Sequence, residues 1–249
     1  GTFSDIKILE EIREEGNLLQ RVYFAVSAGK PAETLLNIGS TLDPTNMLTI
    51  RGIKLYADGA LGSRGAALIE KYDDQETKGL IIFTKEETMP VLIEALRKGI
   101  QIQTHAIGDM GNRLTLDWYE EAFDLVKEEE REIADPRWRI EHSQIITEED
   151  QVRFKDMEII ASMQPSHAIG DLHFAPSRLG MERVGNGYPW RNLIDLGVII
   201  AGGSDAPVEI GDPLIEFYAA VARKDLDGFY SQGWHLEQAV TRKEALKMF

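Results

Sequence analysis

Apolar and polar positions along the chain follow two alternating periods. Short runs rich in β-branched residues predict strands, and the segments between them, with apolar residues every three or four positions, predict helices. Six runs predict strands: RVYFAV at 21–26, LTIRGIKLYADG at 48–59, IQIQTHAIG at 100–108, RWRIEHSQ at 137–144, EIIASMQP at 158–165 and VIIAGGSDAP at 198–207. Strands with two apolar faces, each followed by a helix, indicate a covered parallel sheet. The pattern therefore predicts an α/β fold, either a doubly wound sheet or a (β/α) barrel.

The predicted helices have recognisable ends. In TKEETMPVLIEALRKG, Thr84 is a suitable N-cap, Glu87 follows three residues later, and Gly99 ends the periodic pattern. The segments at 108–130 and 147–157 have the same helical period. The stretch 166–190 is rich in glycine, proline and aromatic residues and longer than ordinary loops. We expect it to be an irregular loop that folds over a site.

Composition narrows the possible functions. A chain of 249 residues, 43% of them hydrophobic, can bury one core, so a single domain over 1–249 is expected. A formal charge of -15 disfavours nucleic acid and anionic membranes as partners. Because the chain has no cysteine, it has no disulfide or thiolate zinc site, which suits a cytoplasmic protein. No uncharged apolar run approaches the roughly 18 residues that a membrane span needs.

Polar residues stand where several predicted strands end. His105, His142 and Asp205 each follow an apolar run. The carboxyl ends of parallel strands share one face, and α/β enzymes place their ligands and catalytic groups there. Lys54 lies inside an otherwise apolar strand, where an unpaired ammonium would be costly to bury. A neutral amine at that position can take up CO2 and become a carbamate, which is a bridging metal ligand.

Each of these residues also has a structural interpretation. A single histidine at a strand end is more often a hydrogen-bonded structural residue than a ligand. Asp205 could cap the following helix, and Lys54 could extend to solvent or pair with Asp58. Four ligand-type residues at four strand ends nevertheless favour a metal site over four independent coincidences.

Five segments in order resemble the amidohydrolase superfamily, in the branch of N-substituted formamide deformylase-like metal-dependent hydrolases. They are IKLYADGALGSRGAAL, QTHAIGDMGNRLTLDWYE, RIEHSQ, ASMQPSHAIGD and GGSDAPV. The resemblance implies a (β/α)8 TIM-type barrel with a small β-sandwich. It also implies one or two divalent metal ions, for which zinc is our first expectation and manganese, iron or cobalt are alternatives.

The resemblance also implies roles for individual residues. Lys54 matches the carbamylated bridging lysine, and His105 and His142 match the histidines that bind the second metal. Asp205 matches the aspartate that binds the first metal and carries the proton. Arg64 and His167 lie in motifs that match substrate-side elements.

The chain departs from the family at its first strand. Members carry a His-x-His pair there, and none of the five histidines in this sequence are two positions apart. The six predicted strands match the third to eighth strands of the family barrel. We therefore expect an incomplete barrel without the sandwich domain. Its two unpaired strand edges, RVYFAV and VIIAGGS, would favour self-association.

The resemblance implies hydrolysis of a C–N bond in a small amide, formamide or cyclic amide. A deaminase or an ester hydrolase of the same superfamily is the alternative among enzymes, because fold does not determine function. An inactive fragment that acts as a binding or regulatory module is the alternative from a different class.

The carbamate interpretation of Lys54 predicts that Lys54→Ala loses bound metal. The alanine variant lacks the amine that would form the bridging carboxylate, so its metal content by atomic emission should fall to less than half that of the parent protein. Unchanged metal content would contradict the carbamate.

Overall fold

The computed structural model describes residues 1–249 and has seven strands. All six predicted strands are present, which confirms the α/β prediction. The additional strand has two exposed residues paired antiparallel with the next strand, and so short a segment has no readable period. The strands are β1 (Val22–Ser27), β2 (Thr41–Leu42), β3 (Leu48–Tyr56), β4 (Gln101–Ala106), β5 (Arg139–His142), β6 (Ile160–Met163) and β7 (Ile200–Gly202).

Ten α-helices precede, connect or follow these strands, and none combines the length and apolarity needed to cross a lipid bilayer. Thr84 caps α3 as predicted: its Oγ1 accepts from the N–H of Glu87, and the Glu87 carboxylate accepts from the N–H of Thr84. The helices are α1 (Phe3–Glu14), α2 (Lys30–Ile38), α3 (Lys85–Arg97), α4 (Asp109–Leu125), α5 (Glu148–Asp156), α6 (Pro165–Asp171), α7 (Ala175–Arg183), α8 (Trp190–Asp195), α9 (Pro213–Ala222) and α10 (Arg242–Met248).

The stretch 166–190 is mostly helical, so the prediction of an irregular loop is wrong. It contains most of α6, all of α7 and a 3-10 turn at Val184–Asn186. Pro176 stands in the first turn of α7, where a missing N–H does no harm, and Pro189 is the N-cap of α8. Gly180 interrupts α7 with a φ of 73°. The residues that suggested a loop therefore mark the ends and the break of short helices.

The sheet has the strand order β1-β3-β4-β5-β6-β7, with β2 paired to β3. The pairs β1–β3 and β6–β7 are parallel. The outer strands of this order are β1 and β7, the two that the sequence predicts as edges. Self-association through them stays a prediction.

The chain forms two compact units. The first contains Gly1–Tyr56, Phe83–Thr104 and Asp117–Arg139, and the second contains Ala57–Ile82, His105–Leu116 and Ile140–Phe249. The expectation of a single domain over 1–249 stays a prediction.

Trp138 forms the centre of the aromatic core in the first unit. The side chain is fully buried, and its Nε1–H donates to the carbonyl of Ile100 at 3.1 Å. The rings of Tyr119 and Phe123 pack against it with centroids 4.8 and 5.0 Å away. Offset and edge-to-face pairs of this kind stabilise beyond the buried area alone.

Replacing Trp138 with alanine should destabilise the protein strongly. The variant loses the ring contacts and leaves a cavity, so the free energy of unfolding should fall by about 3–5 kcal/mol. Leu125→Ala is the control, since Leu125 is 54% exposed and should shift the value by less than about 0.5 kcal/mol. Urea titration measures both, and similar effects of the two substitutions would contradict this assignment of the core.

Candidate active site

His142 ends β5 in a backbone conformation that is uncommon for residues other than glycine. His142 and Ser143 have φ values of 75° and 47°, in the left-handed region that favours glycine. The chain turns there, and the N–H of Ser143 then donates to the carbonyl of Ala106 at the end of β4. The turn leaves the imidazole of His142 buried beside Gln164, the residue that follows β6.

Gln164 fixes the protonation of the His142 ring. Nδ1 of His142 lies 2.8 Å from Oε1 of Gln164. Because the amide oxygen only accepts, Nδ1 carries the proton and the ring lone pair is on Nε2. Metal-binding histidines have this arrangement, in which an acceptor holds the proton of one ring nitrogen and so fixes the tautomer.

Three histidines lie side by side in the second unit, and we call His105, His142 and His167 the histidine cluster. The rings of His105 and His142 meet edge to face with centroids 4.5 Å apart. The rings of His142 and His167 are stacked at 5.7 Å. The structure therefore brings together three of the histidines that the sequence singles out.

Asp58 anchors the loops around His105, a role that the sequence did not reveal. Its carboxylate is fully buried and accepts from the backbone N–H groups of Ala67, Ile107 and Gly108 at 2.8, 3.0 and 2.8 Å. Oδ1 lies 3.5 Å from Nε2 of His105. Burial raises the pKa of Asp58 to about 7, and the three N–H donors act in the opposite direction.

His167 lies in α6 near two acidic side chains, Asp205 and Glu209. Burial lowers the pKa of its ring, and the charge of Asp205 raises it. Its Nε2 is buried without a hydrogen-bond partner, 3.8 Å from Oε1 of Glu209. Burial is the larger effect, so His167 favours its neutral form.

Asp205 follows β7 with a φ of 56° and is solvent-exposed. The alternative that it caps the following helix is wrong, because Asp212 is the N-cap of α9 and accepts from the N–H of Leu214 at 2.8 Å. The carboxylate of Asp205 is therefore available to a ligand near His167.

Arg64 and Lys54 have local partners in the structure. The guanidinium of Arg64 forms two hydrogen bonds of 2.9 Å with the carboxylate of Asp74, which also pairs with Arg178. The ammonium of Lys54, in β3 of the first unit, lies 5.5 Å from the ring centre of Tyr56. The substrate role of Arg64 and the ligand role of Lys54 stay predictions.

The second unit supplies only part of a metal-binding set. Two neighbouring imidazoles, one with its Nδ1–H held by Gln164, have the donor chemistry that zinc and similar cations prefer. No group of three or more His, Cys, Asp or Glu side chains is arranged to hold a metal ion. The residues therefore fit two ligands of a cation and not a complete set.

Asp171 and Tyr188 fasten the chain beside the cluster. The Tyr188 hydroxyl donates to the Asp171 carboxylate, which also accepts from the amide of Gln144 at 2.8 Å. The N–H of Tyr188 donates to the carbonyl of Gln144 at 2.6 Å. The segment before α8 is thus held against the residues that follow β5. Burial raises the pKa of Asp171 to about 6.

A family model described as the amidohydrolase family matches residues 1–249. The chain belongs to the amidohydrolase family. It is 32% identical to the putative amidohydrolase YtcJ of Bacillus subtilis (strain 168) over 79% of this chain and 36% of that protein. It is 28% identical to the N-substituted formamide deformylase of Arthrobacter pascens over 84% of this chain and 37% of that protein.

Solved structures agree with this assignment. An uncharacterized metal-dependent hydrolase from Pyrococcus furiosus is 30% identical with a TM-score of 0.82, over 98% of this chain and 47% of that one. The fold prediction from the family resemblance is confirmed: the parallel α/β architecture is that of metal-dependent hydrolase barrels. The chain spans less than half the length of the relatives described here.

The raised pKa of Asp171 predicts a pH-dependent stability. The folded protein holds this proton up to a pH of about 6, whereas the unfolded chain releases it near pH 4. Stability from this group is therefore greatest below pH 4 and is lost as the pH rises through 6. Deprotonation of Asp171 between pH 4.5 and 7.5 should lower the free energy of unfolding by about 2 kcal/mol.

Urea titration of the parent protein and Asp171→Asn at both pH values tests this. The difference in free energy of unfolding between the two proteins should change by about 2 kcal/mol between pH 4.5 and 7.5, because the amide of the variant does not titrate. Asp156→Asn, at an exposed position of α5, should leave the pH dependence as it is in the parent. A difference that is independent of pH would contradict the raised pKa.

Proposed function

We propose that this chain contains the major part of the active site of a metal-dependent hydrolase that cleaves a non-peptide C–N bond. The observation that carries the proposal is the histidine cluster, with the Nδ1 of His142 held by Gln164 and the carboxylate of Asp205 nearby. The formamide deformylase among the relatives supports an amide or formamide as the substrate.

His105 and His142 would hold a divalent cation, with zinc as the first choice among zinc, manganese, iron and cobalt. When bound, such a cation polarises a carbonyl oxygen and makes water more acidic. The protein itself fixes the ligand tautomer. Gln164 accepts the Nδ1 proton of His142, so the nitrogen lone pair is directed away from the amide. Nε2 of His105 lies 3.5 Å from Oδ1 of the buried Asp58 carboxylate.

Asp205 would move the proton. Its exposed carboxylate can accept a proton from the attacking water and return it to the leaving nitrogen as the C–N bond breaks. His167 favours the neutral form, so its ring N–H can donate a hydrogen bond to the substrate carbonyl without adding charge. Arg64 would join the substrate side only if the substrate competed with Asp74 for its guanidinium.

A binding module without catalysis is the second candidate. The observation that favours it is the missing third ligand within the second unit. A deaminase or esterase would use the same residues, and a substrate panel distinguishes them from an amide hydrolase.

Two substitutions test the hydrolase. His142→Ala should lower bound zinc by at least about 10-fold, because it removes a ligand nitrogen. His235→Ala is the matched control, since His235 lies outside the cluster and pairs with Glu237. Asp205→Asn should keep the zinc held by His105 and His142 and lower kcat on N-benzylformamide by about 100-fold or more, because the amide cannot carry the proton.

Zinc analysis and product assays on the purified chain measure these effects. Parent protein that binds no zinc and turns over no amide would support the binding module. Turnover of aminated heterocycles or esters, but not of formamides, would support the other enzyme classes.

A further inference from the structure

A small cavity opens beside the histidine cluster in the second unit. Its volume is about 280 Å³, and it is lined by residues of α6, α9, the segment before α9 and the turn after it. This volume is just below the roughly 300–1,000 Å³ of pockets for drug-sized molecules, so it suits a single ring or a branched alkyl group. Ile169, Ile210, Ile215 and Leu226 give it an apolar wall.

The polar groups of the cavity are strongly acidic. Glu209, Glu216, Asp225 and Asp227 line it, and neither lysine nor arginine does. Asp225 is paired with Nε2 of His173 at 2.9 Å, and Glu216 accepts from the N–H of Ser166 at 2.9 Å.

Glu209 and Glu216 are carboxyl groups whose ionised form is disfavoured in this cavity. Burial raises the pKa of both carboxyl groups, and for Glu209 the charges of Glu216, Asp171 and Asp205 add to the effect. A cation in the cavity would relieve this repulsion.

Ser166 supplies an independent sign of a missing ligand. The residue is 2% exposed and lines the cavity. Its hydroxyl influences the pKa of Glu216 but does not reach hydrogen-bond geometry, so Oγ has no partner. A buried hydroxyl without a partner is unfavourable, and a ligand N–H in the cavity would satisfy it.

The cavity is connected to the histidine cluster through Glu209. This residue lines the cavity, and its Oε1 lies 3.8 Å from Nε2 of His167. A molecule held in the cavity would therefore have its far end beside the cluster.

We infer that this acidic cavity binds the protonated amine of a small molecule that also carries an apolar group. The ammonium lies among Glu209, Glu216 and Asp227 and donates to Ser166 Oγ, while the apolar group packs on the isoleucines. As a consequence that rests on the proposed hydrolase, the cavity holds the amine-bearing side of an amide substrate and selects cationic substrates over neutral ones.

Calorimetric titration of the full chain at pH 7 with benzylamine, which is protonated there, and with benzyl alcohol, its neutral counterpart, tests the site. Benzylamine should bind about 10-fold more tightly than the alcohol, and added salt should weaken only the binding of benzylamine. Glu209→Gln should lower the affinity for benzylamine by about 10-fold and leave the affinity for benzyl alcohol unchanged. Glu148→Gln, which removes a charge at an exposed position of α5, should change neither.

Equal binding of amine and alcohol, or an equal loss in both glutamine variants, would overturn the inference. Asp227→Asn, at an exposed position, provides a second variant if Glu209→Gln does not fold. Turnover of N-benzylformamide without benzylamine binding would refute this site and leave the hydrolase proposal intact. Benzylamine binding without turnover of any amide would support the site and count against the hydrolase.

Discussion

The buried carboxylate of Asp58 is the interaction on which the second unit most depends. Burying a charge is costly unless it is fully hydrogen-bonded. Three backbone N–H groups from two separate segments offset part of that cost, and in doing so they fix the loop after β3 against the turn after β4. Space around the carboxylate is so limited that a side chain at Gly111 would collide with it. His105 is held beside the carboxylate at the same point.

The histidine cluster and the acidic cavity require opposite local environments. The cluster needs neutral imidazoles with a lone pair, which burial and the Gln164 acceptor favour. The cavity needs ionised carboxylates, which a cation would favour. Asp205 and Glu209 lie where the two environments meet, since each acts on His167 through its charge or its proximity. The short segment between β7 and α9 that carries both residues therefore influences both environments.

The six main strands could be predicted because their apolar runs are local, and histidine or aspartate marks the ends of several of them. Thr84 and Glu87 could be predicted for the same reason, since a capping box lies within one turn. Asp58 could not be assigned a role, because two of its partners lie 49 and 50 residues away. Gln164 could not be assigned one either, because its partner lies 22 residues away on another strand. The helices α6 and α7 were missed because glycine and proline at helix ends resemble loop composition. His105 and His142 were singled out correctly as neighbours, but only the structure shows that Gln164 sets the tautomer of His142.

The left-handed backbone at His142 and Ser143 shows where this protein has given up stability. Each non-glycine residue in that conformation costs roughly 1 kcal/mol or more relative to glycine. Glycine at position 142 would relieve the strain, but it would remove the imidazole from the centre of the cluster. The strained turn is therefore a trade of folding stability for the placement of one side chain, of the kind expected where function and stability compete for the same position.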